Sequence, residues 1–210
     1  HMPNMDGSTM LSRLRSDASR RDLPCLLVTG SSTQAEELRG LEAGADAVAQ
    51  KGEDLSVIVA RLEALLLRAE PRASTSQRTR LLGPNRILAV DDSRTFLNVT
   101  AEQLLAEGYD AVTATSGEEA LELLAVQPVD GILLDLKMPG LGGLETVRRL
   151  RAMPGLRDVP VIMLTGTEEP EAIITALNAG ADDYVVKSAD FEVVLGRLRA
   201  HLRRKHLQDD

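Results

Sequence analysis

Five polar side chains in this 210-residue chain stand directly behind short apolar runs. Asp91 and Asp92 follow residues 87–90, Asp135 follows 131–134, Thr165 follows 161–164 and Lys187 follows 184–186. A polar residue in that position sits at the carboxyl edge of a sheet, where open α/β folds place their ligands. A parallel sheet would gather all five on one edge. Three carboxylates held there repel one another: at about 4 Å each pair costs roughly 1 kcal/mol in water and about 4 kcal/mol at an effective dielectric near 20. Such a cluster requires a cation or raised pKa values. Carboxylate oxygens without His or Cys select a hard cation, Mg²⁺ foremost. Lys187 adds a fixed positive charge and Thr165 a hydroxyl. Metal, ammonium and hydroxyl together suit the three oxygens of a phosphoryl group carried by Asp135. Taken singly these residues are ordinary, since a strand-end Asp or Thr more often caps a helix and a lone Lys is usually a surface residue. Only their combination points to chemistry.

The elements that must position these residues alternate cleanly from 85 to 206. Strands are expected at 87–90, 111–114, 131–134 leading into Asp135, 161–164 and 184–186. The helices between and after them are expected at about 93–107, from Ser116 onward with Glu119 at capping-box spacing, at 144–151, from Pro170 to Gly180, and at 190–205. Pro139 and the glycines through Gly143 force a loop behind Asp135. Five strands alternating with helices argue for a parallel sheet covered on both faces, with right-handed crossovers.

The remainder of the chain is an incomplete copy of this pattern. Residues 1–70 align with 137–206 without a gap at an offset of 136, with about a third of positions identical. The matches include Met2-Pro3, Pro24, Thr29-Gly30, Ala43 to Asp46, Lys51 and Arg61-Leu62. A turn-like opening, a helix through Leu14, a strand at 25–28, a helix at 34–43 with Gly44 as C-cap, a strand at 47–49 and a helix at 54–67 make two strands and three helices. Two strands cannot cover three apolar helix faces. Residues 1–70 therefore read as the back half of a second copy, and 71–84, polar and bounded by Pro, as a linker. His1-Met2 is either a cloning remnant or native, as Lys137-Met138 at the matching place allows.

Composition bounds the class. Apolar residues make up 43% and charged residues 27%, with 2% aromatics, no Trp and a net charge of −8. The core must be aliphatic, and the charge argues against nucleic acid or an anionic membrane surface as partner. No run reaches the roughly 20 residues of a membrane span, and no signal peptide opens the chain, so a cytoplasmic location is expected. The single Cys25 excludes an internal disulfide framework and reads as a buried core thiol. His201 and His206 read as solvated.

The motifs VDDS at 90–93, LLDLKMPGLGG at 133–143, LTG at 164–166 and AGADDYVVK at 179–187 resemble those of bacterial two-component response-regulator receiver domains. The resemblance implies a flavodoxin-like (βα)5 doubly wound parallel sheet of order 2-1-3-4-5, complete over 85–206 and preceded by the partial copy. Carried over residue by residue, it makes Asp135 the phosphoacceptor. Asp92, Asp135 and the main-chain carbonyl of Lys137 would bind Mg²⁺ directly, and Asp91 through water. Thr165 and Lys187 would bind the phosphoryl group, and Tyr184 would turn inward with Thr165 on switching. Ser188 stands where the family usually has proline. In the first copy Thr29 and Lys51 persist, but Val48 replaces the aromatic and the acids are missing, so a structural or pairing module is expected there.

The resemblance implies a phosphorelay protein and not an enzyme, beyond slow self-dephosphorylation. It implies a sensor histidine kinase or phosphotransfer protein as donor and a switched protein-interaction face made by the last two helices and the strand between them. Homodimerisation or pairing through 1–70, and a downstream output domain such as a kinase or nucleotide cyclase, stay open. Two rival readings are a structural tandem module that never receives phosphate and an aspartate-nucleophile phosphatase. The latter usually wants Asp-x-Asp, and position 137 is Lys.

Overall fold

The computed structural model describes residues 5–69, 84–167 and 169–209. Of the expected linker at 71–84, residues 71–83 lie outside them, as does the Met2-Pro3 match. The described residues pack as two compact units, one within 73–188 and one drawn from 1–72 together with 189–210.

The first unit in chain order contains α1 (Gly7–Ser16), β1 (Leu26–Thr29), α2 (Gln34–Glu42), β2 (Ala47–Gln50) and α3 (Leu55–Ala69). The second contains β3 (Arg86–Val90), α4 (Arg94–Ala106), β4 (Asp110–Ala114), α5 (Gly117–Val126), β5 (Gly131–Asp135), α6 (Gly143–Ala152), β6 (Val161–Thr165), α7 (Pro170–Asn178) and β7 (Asp183–Val186). The last helix, α8 (Phe191–Asp209), packs with the N-terminal elements.

In the 73–188 unit the five strands form one parallel sheet in the order β4-β3-β5-β6-β7, which is the expected 2-1-3-4-5. β5 and β6 are buried along their whole length, as strands covered on both faces must be. Ile87, Leu88, Ile132, Leu133, Leu134, Ile162 and Met163 form the aliphatic centre. The helices start where the sequence places caps. Ser93 Oγ accepts the Phe96 N–H and Ser116 Oγ accepts the Glu119 N–H. Glu119 does not close the box onto Ser116. Its carboxylate takes the Thr115 N–H and hydroxyl one residue earlier, and this holds it below the ordinary carboxylate range. Pro170 occupies the first turn of α7.

The N-terminal unit has two parallel strands, β1 and β2, with Leu26 paired to Ala47 and Thr29 to Gln50. Leu11, Leu41, Ala45, Val48 and Ala200 make its core, with Cys25, Leu27 and Ala43 against it. Ala43 caps α2, and Gly44 follows it at φ +109°, the left-handed turn a glycine permits.

The repeat is visible in one side-chain clamp. Arg15 Nε donates to the Gly44 carbonyl at 2.8 Å, and its Nη2 meets Asp46 Oδ2 at 2.8 Å. That same carboxylate oxygen takes the Cys25 N–H at 2.7 Å. At the offset of 136, Arg151 Nε donates to the Gly180 carbonyl at 2.8 Å and its Nη2 to Asp182 Oδ2 at 2.8 Å. Asp182 in turn takes the Val161 N–H at 2.7 Å.

Two expectations fail, both through packing. Cys25 is half-buried, because among the described residues β1 has a neighbour on one side only. His201 is 6% exposed, because α8 is buried around nearly its whole circumference between Val193 and Arg204. His206 is exposed, as expected. On the side of α8 that meets α2, Arg197 pairs with Glu37, Arg204 with Asp46, and Arg203 donates to the Ala45 carbonyl.

Candidate functional site

The edge where β3, β5, β6 and β7 end carries the polar residues singled out above. β3 is flanked by β4 and β5, so the chain's direction across the sheet reverses here, the crevice where doubly wound folds hold ligands. Val90 pairs with Leu134, which brings Asp91 beside Asp135 at the next step. Asp135 pairs with Leu164 and Thr165 with Val186, so Thr165 and Lys187 follow one step further along the edge. The Lys187 N–H donates to the Thr165 carbonyl at 2.7 Å.

The side chains converge. Lys187 Nζ lies 2.6 Å from Asp91 Oδ2 and 3.0 Å from Asp135 Oδ1, bridging the two carboxylates. One oxygen from each of Asp91, Asp92 and Asp135 lies within 4.8 Å of the others. Asp91 and Asp135 are buried and Asp92 is exposed, so the cluster opens to solvent on one side. Burial raises the Asp135 carboxyl above its ordinary value. The Lys187 hydrogen bond and charge pull it back, the neighbouring Asp91 pushes it up again, and the Lys137 N–H stabilises its charge. Burial pulls the Lys187 ammonium down, but its hydrogen bonds to Asp91 and Asp135 outweigh this and raise it overall.

Every donor in the cluster is a carboxylate oxygen, with no His or Cys among them, which fits a hard divalent cation. Thr165 is buried. Its hydroxyl donates to the Thr167 carbonyl at 3.0 Å and accepts the Thr167 N–H at 3.1 Å. Tyr184 is buried on β7, opposite Met163 and three residues before Lys187.

Three supports of this site were not legible as such in the sequence. The Ser93 N–H donates to Asp91 Oδ1 at 2.9 Å, fixing the carboxylate whose other oxygen meets Lys187. The Phe96 ring centre lies 4.9 Å from Lys187 Nζ, a cation–π contact. A Cβ on Gly143 would fall 2.2 Å from the Asp135 carbonyl oxygen, so only glycine lets α6 start so close to the strand end. The DDS sequence marks Ser93 as a cap, and nothing local singles out Phe96.

Thr29 and Lys51 belong to the N-terminal unit. The Lys51 N–H donates to the Thr29 carbonyl at 2.7 Å, and the Ser31 N–H donates to Thr29 Oγ1 at 3.1 Å, as their counterparts do. Lys51 is exposed and makes no ion pair among the described residues. No described helix is long and apolar enough to cross a membrane.

Residues 87–199 match the family model of the response regulator receiver domain. The response regulator MprA of Mycobacterium ulcerans is 42% identical over 125 residues, covering 60% of this chain and 53% of the relative. MprA of Mycolicibacterium vanbaalenii is 41% identical over 121 residues, covering 58% and 52%. The chain thus spans about half the length of these curated relatives. Among solved structures, chemotaxis protein CheY4 of Vibrio cholerae superposes with a TM-score of 0.54 at 32% identity, covering 56% of this chain and 98% of that one. A CheY-like receiver domain protein of Methanospirillum hungatei gives 0.56 at 29% identity, covering 60% and 98%. The chain belongs to the response regulator receiver domain family, a signalling domain of two-component systems.

Proposed function

We propose that Asp135 is the phosphoacceptor of this receiver and that Mg²⁺ is its cofactor. The observation that carries the reading is the bridge of Lys187 between Asp91 and Asp135, with Asp92 completing a set of oxygens within 4.8 Å. Asp92, Asp135 and the main-chain carbonyl of Lys137 would hold the ion directly, and Asp91 through water. When bound, the ion neutralises charge on the acids and on the incoming phosphoryl oxygens.

The Asp135 oxygen attacks the phosphorus of a partner's phosphohistidine. The O–P bond forms, the P–N bond breaks, and its electron pair returns to the imidazole. Lys187 then exchanges carboxylate partners for a phosphoryl oxygen. The modification adds roughly −1.5 to −2 charge. The Thr165 hydroxyl must leave the Thr167 carbonyl to donate to the new oxygens, so the loop behind β6 feels the modification directly. Tyr184 is the aromatic that answers this shift. Phosphorylation biases an existing equilibrium, and a protein-interaction face changes its affinity. The donor is a sensor histidine kinase or phosphotransfer protein, and an output domain reads the state.

Residues 85–206 are the complete receiver by the repeat, and residues 1–70 are the back half of a second one, serving as a structural or pairing module. A small phosphodonor with Mg²⁺ tests the assignment: wild type should gain one phosphoryl group and Asp135→Asn none. Labelling that persists in Asp135→Asn would place the acceptor elsewhere.

A further inference from the structure

The two copies expose different things at equivalent positions. In the complete copy β6 has β5 on one edge and β7 on the other. Among the described residues its counterpart β1 has only β2, so the edge equivalent to the one β5 fills carries no described strand. Two-stranded sheets are marginal in water, and an open edge is a template for another strand. Cys25 is half-buried where its counterpart Val161 is fully buried, and Val28 is 42% exposed where Leu164 is 2%.

α3 tells the same story. Leu55, Val59, Leu62 and Leu66 recur at spacings of four, three and four, a single helix stripe, and all are 39% exposed or more. Their counterparts Leu195, Leu198 and Leu202 on α8 are at most 3% exposed. These α8 positions lie on the side of the helix opposite Arg197, Ala200 and Arg204.

Two further observations say what the missing neighbour is. Gly143 is confined by the main chain of Asp135 and Leu136 at the end of β5. Its counterpart Gly7 keeps the glycine, but a Cβ there would meet only the tip of Leu27. Room for a passing strand end is thus retained without the strand. Lys51 supplies the charge argument: Lys187 bridges two carboxylates, whereas Lys51 in the same backbone setting is exposed and makes no ion pair among the described residues.

We propose that the open edge of β1 and the bare stripe of α3 are one docking surface for the front half of a receiver repeat. This occupant is a polypeptide of the pattern of residues 84–136, whose central strand pairs parallel to β1 and brings a terminal carboxylate to Thr29 and Lys51. The inference rests on reading residues 1–70 as a back half. The register follows from β5 and β6, where Ile132 pairs with Val161 and Asp135 with Leu164. At the offset of 136 the occupant's strand pairs with residues 25–28, and its final acid stands opposite Val28. Docking converts a two-strand remnant into a second phosphoryl-type edge.

The repeat provides its own test. A second copy of residues 84–136 is fused directly ahead of residue 1 of the full chain, a junction the gapless alignment makes equivalent to 136–137. Cys25 is the only thiol of the starting chain and sits on the edge in question. Its modification by a thiol reagent should slow at least about tenfold in the fusion, and β1 amides should gain hydrogen-exchange protection. Magnesium titration should rise from one to two equivalents, with Lys51→Ala weakening only the added one. Unchanged Cys25 reactivity would overturn the proposal, as would protection without a second magnesium equivalent. Cys25 protection in the unfused chain that disappears on dilution, together with dimer dissociation, would assign the surface to a second copy and also overturn it. Phosphorylation of Asp135 in the unfused chain is independent of every one of these outcomes.

Discussion

The complete copy and the N-terminal half share a framework and differ in chemistry. Arg15 and Arg151 make the same clamp with the same lengths, and Thr29–Lys51 and Thr165–Lys187 share the same main-chain hydrogen bond of 2.7 Å. What separates them is the front of the fold. In one, the ends of β3 and β5 gather three acids, two of which the lysine bridges. In the other, the lysine is exposed and the glycine that makes room for β5 faces a side chain. The back half thus keeps the same backbone geometry in both copies, and the front half supplies the reactive charge.

The largest expected effect tests the shared framework. Arg151→Ala removes a largely buried guanidinium from Asp182 and from the Gly180, Leu156 and Val159 carbonyls, and should cost about 3–5 kcal/mol in chemical denaturation. Arg15→Ala should destabilise the transition of the N-terminal elements by a like amount, since its burial matches. A negligible loss in either would break the equivalence.

The glycines come next. Gly143→Ala pushes a methyl into the main chain at Asp135 and should cost about 1–3 kcal/mol or more, with weakened magnesium binding. Gly7→Ala meets only Leu27 Cδ1, a movable tip, and should change stability by less than about 1 kcal/mol. Equal losses would mean that the N-terminal half is already filled like the complete copy.

The position of these atoms was only partly readable from residue order. Apolar runs closed by Asp91, Asp135, Thr165 and Lys187 declare a parallel sheet edge, because strand alternation and burial are local properties. The offset of 136 likewise announces the half copy. Phe96 against Lys187, Arg197 against Glu37 and Arg203 against the Ala45 carbonyl join residues far apart in the chain, and no local pattern encodes them. His201 misleads because the burial of α8 around nearly its whole circumference comes from packing and not from residue order. Cys25 misleads oppositely: its apolar surroundings suggest a core, but among the described residues β1 has a strand on one edge only.

Smaller effects follow from charge. The Asp135 carboxyl is raised in the folded chain, so the native state holds its proton to higher pH than the unfolded state does. Without divalent cation, stability should therefore fall as pH rises from the ordinary carboxylate value of 3.8 through the raised one. Asp135→Asn should remove that slope and melt higher than wild type at neutral pH. Lys187 is shifted up, so its contribution is complete below its ordinary 10.5 and lost only as pH climbs through the raised value. Lys187→Ala should lower the Tm at neutral pH, and Lys51→Ala should leave it nearly unchanged. A Lys51 effect as large as that of Lys187 would show that the N-terminal lysine already has acids to hold.

The most direct measurement is intact-protein mass after exposure to a small phosphodonor, with Mg²⁺ and with chelator. The account predicts a single added phosphoryl group that requires Mg²⁺, disappears in Asp135→Asn and survives in Lys51→Ala. A phosphoryl group gained by Asp135→Asn, or none gained by a folded wild type that binds Mg²⁺, would contradict it.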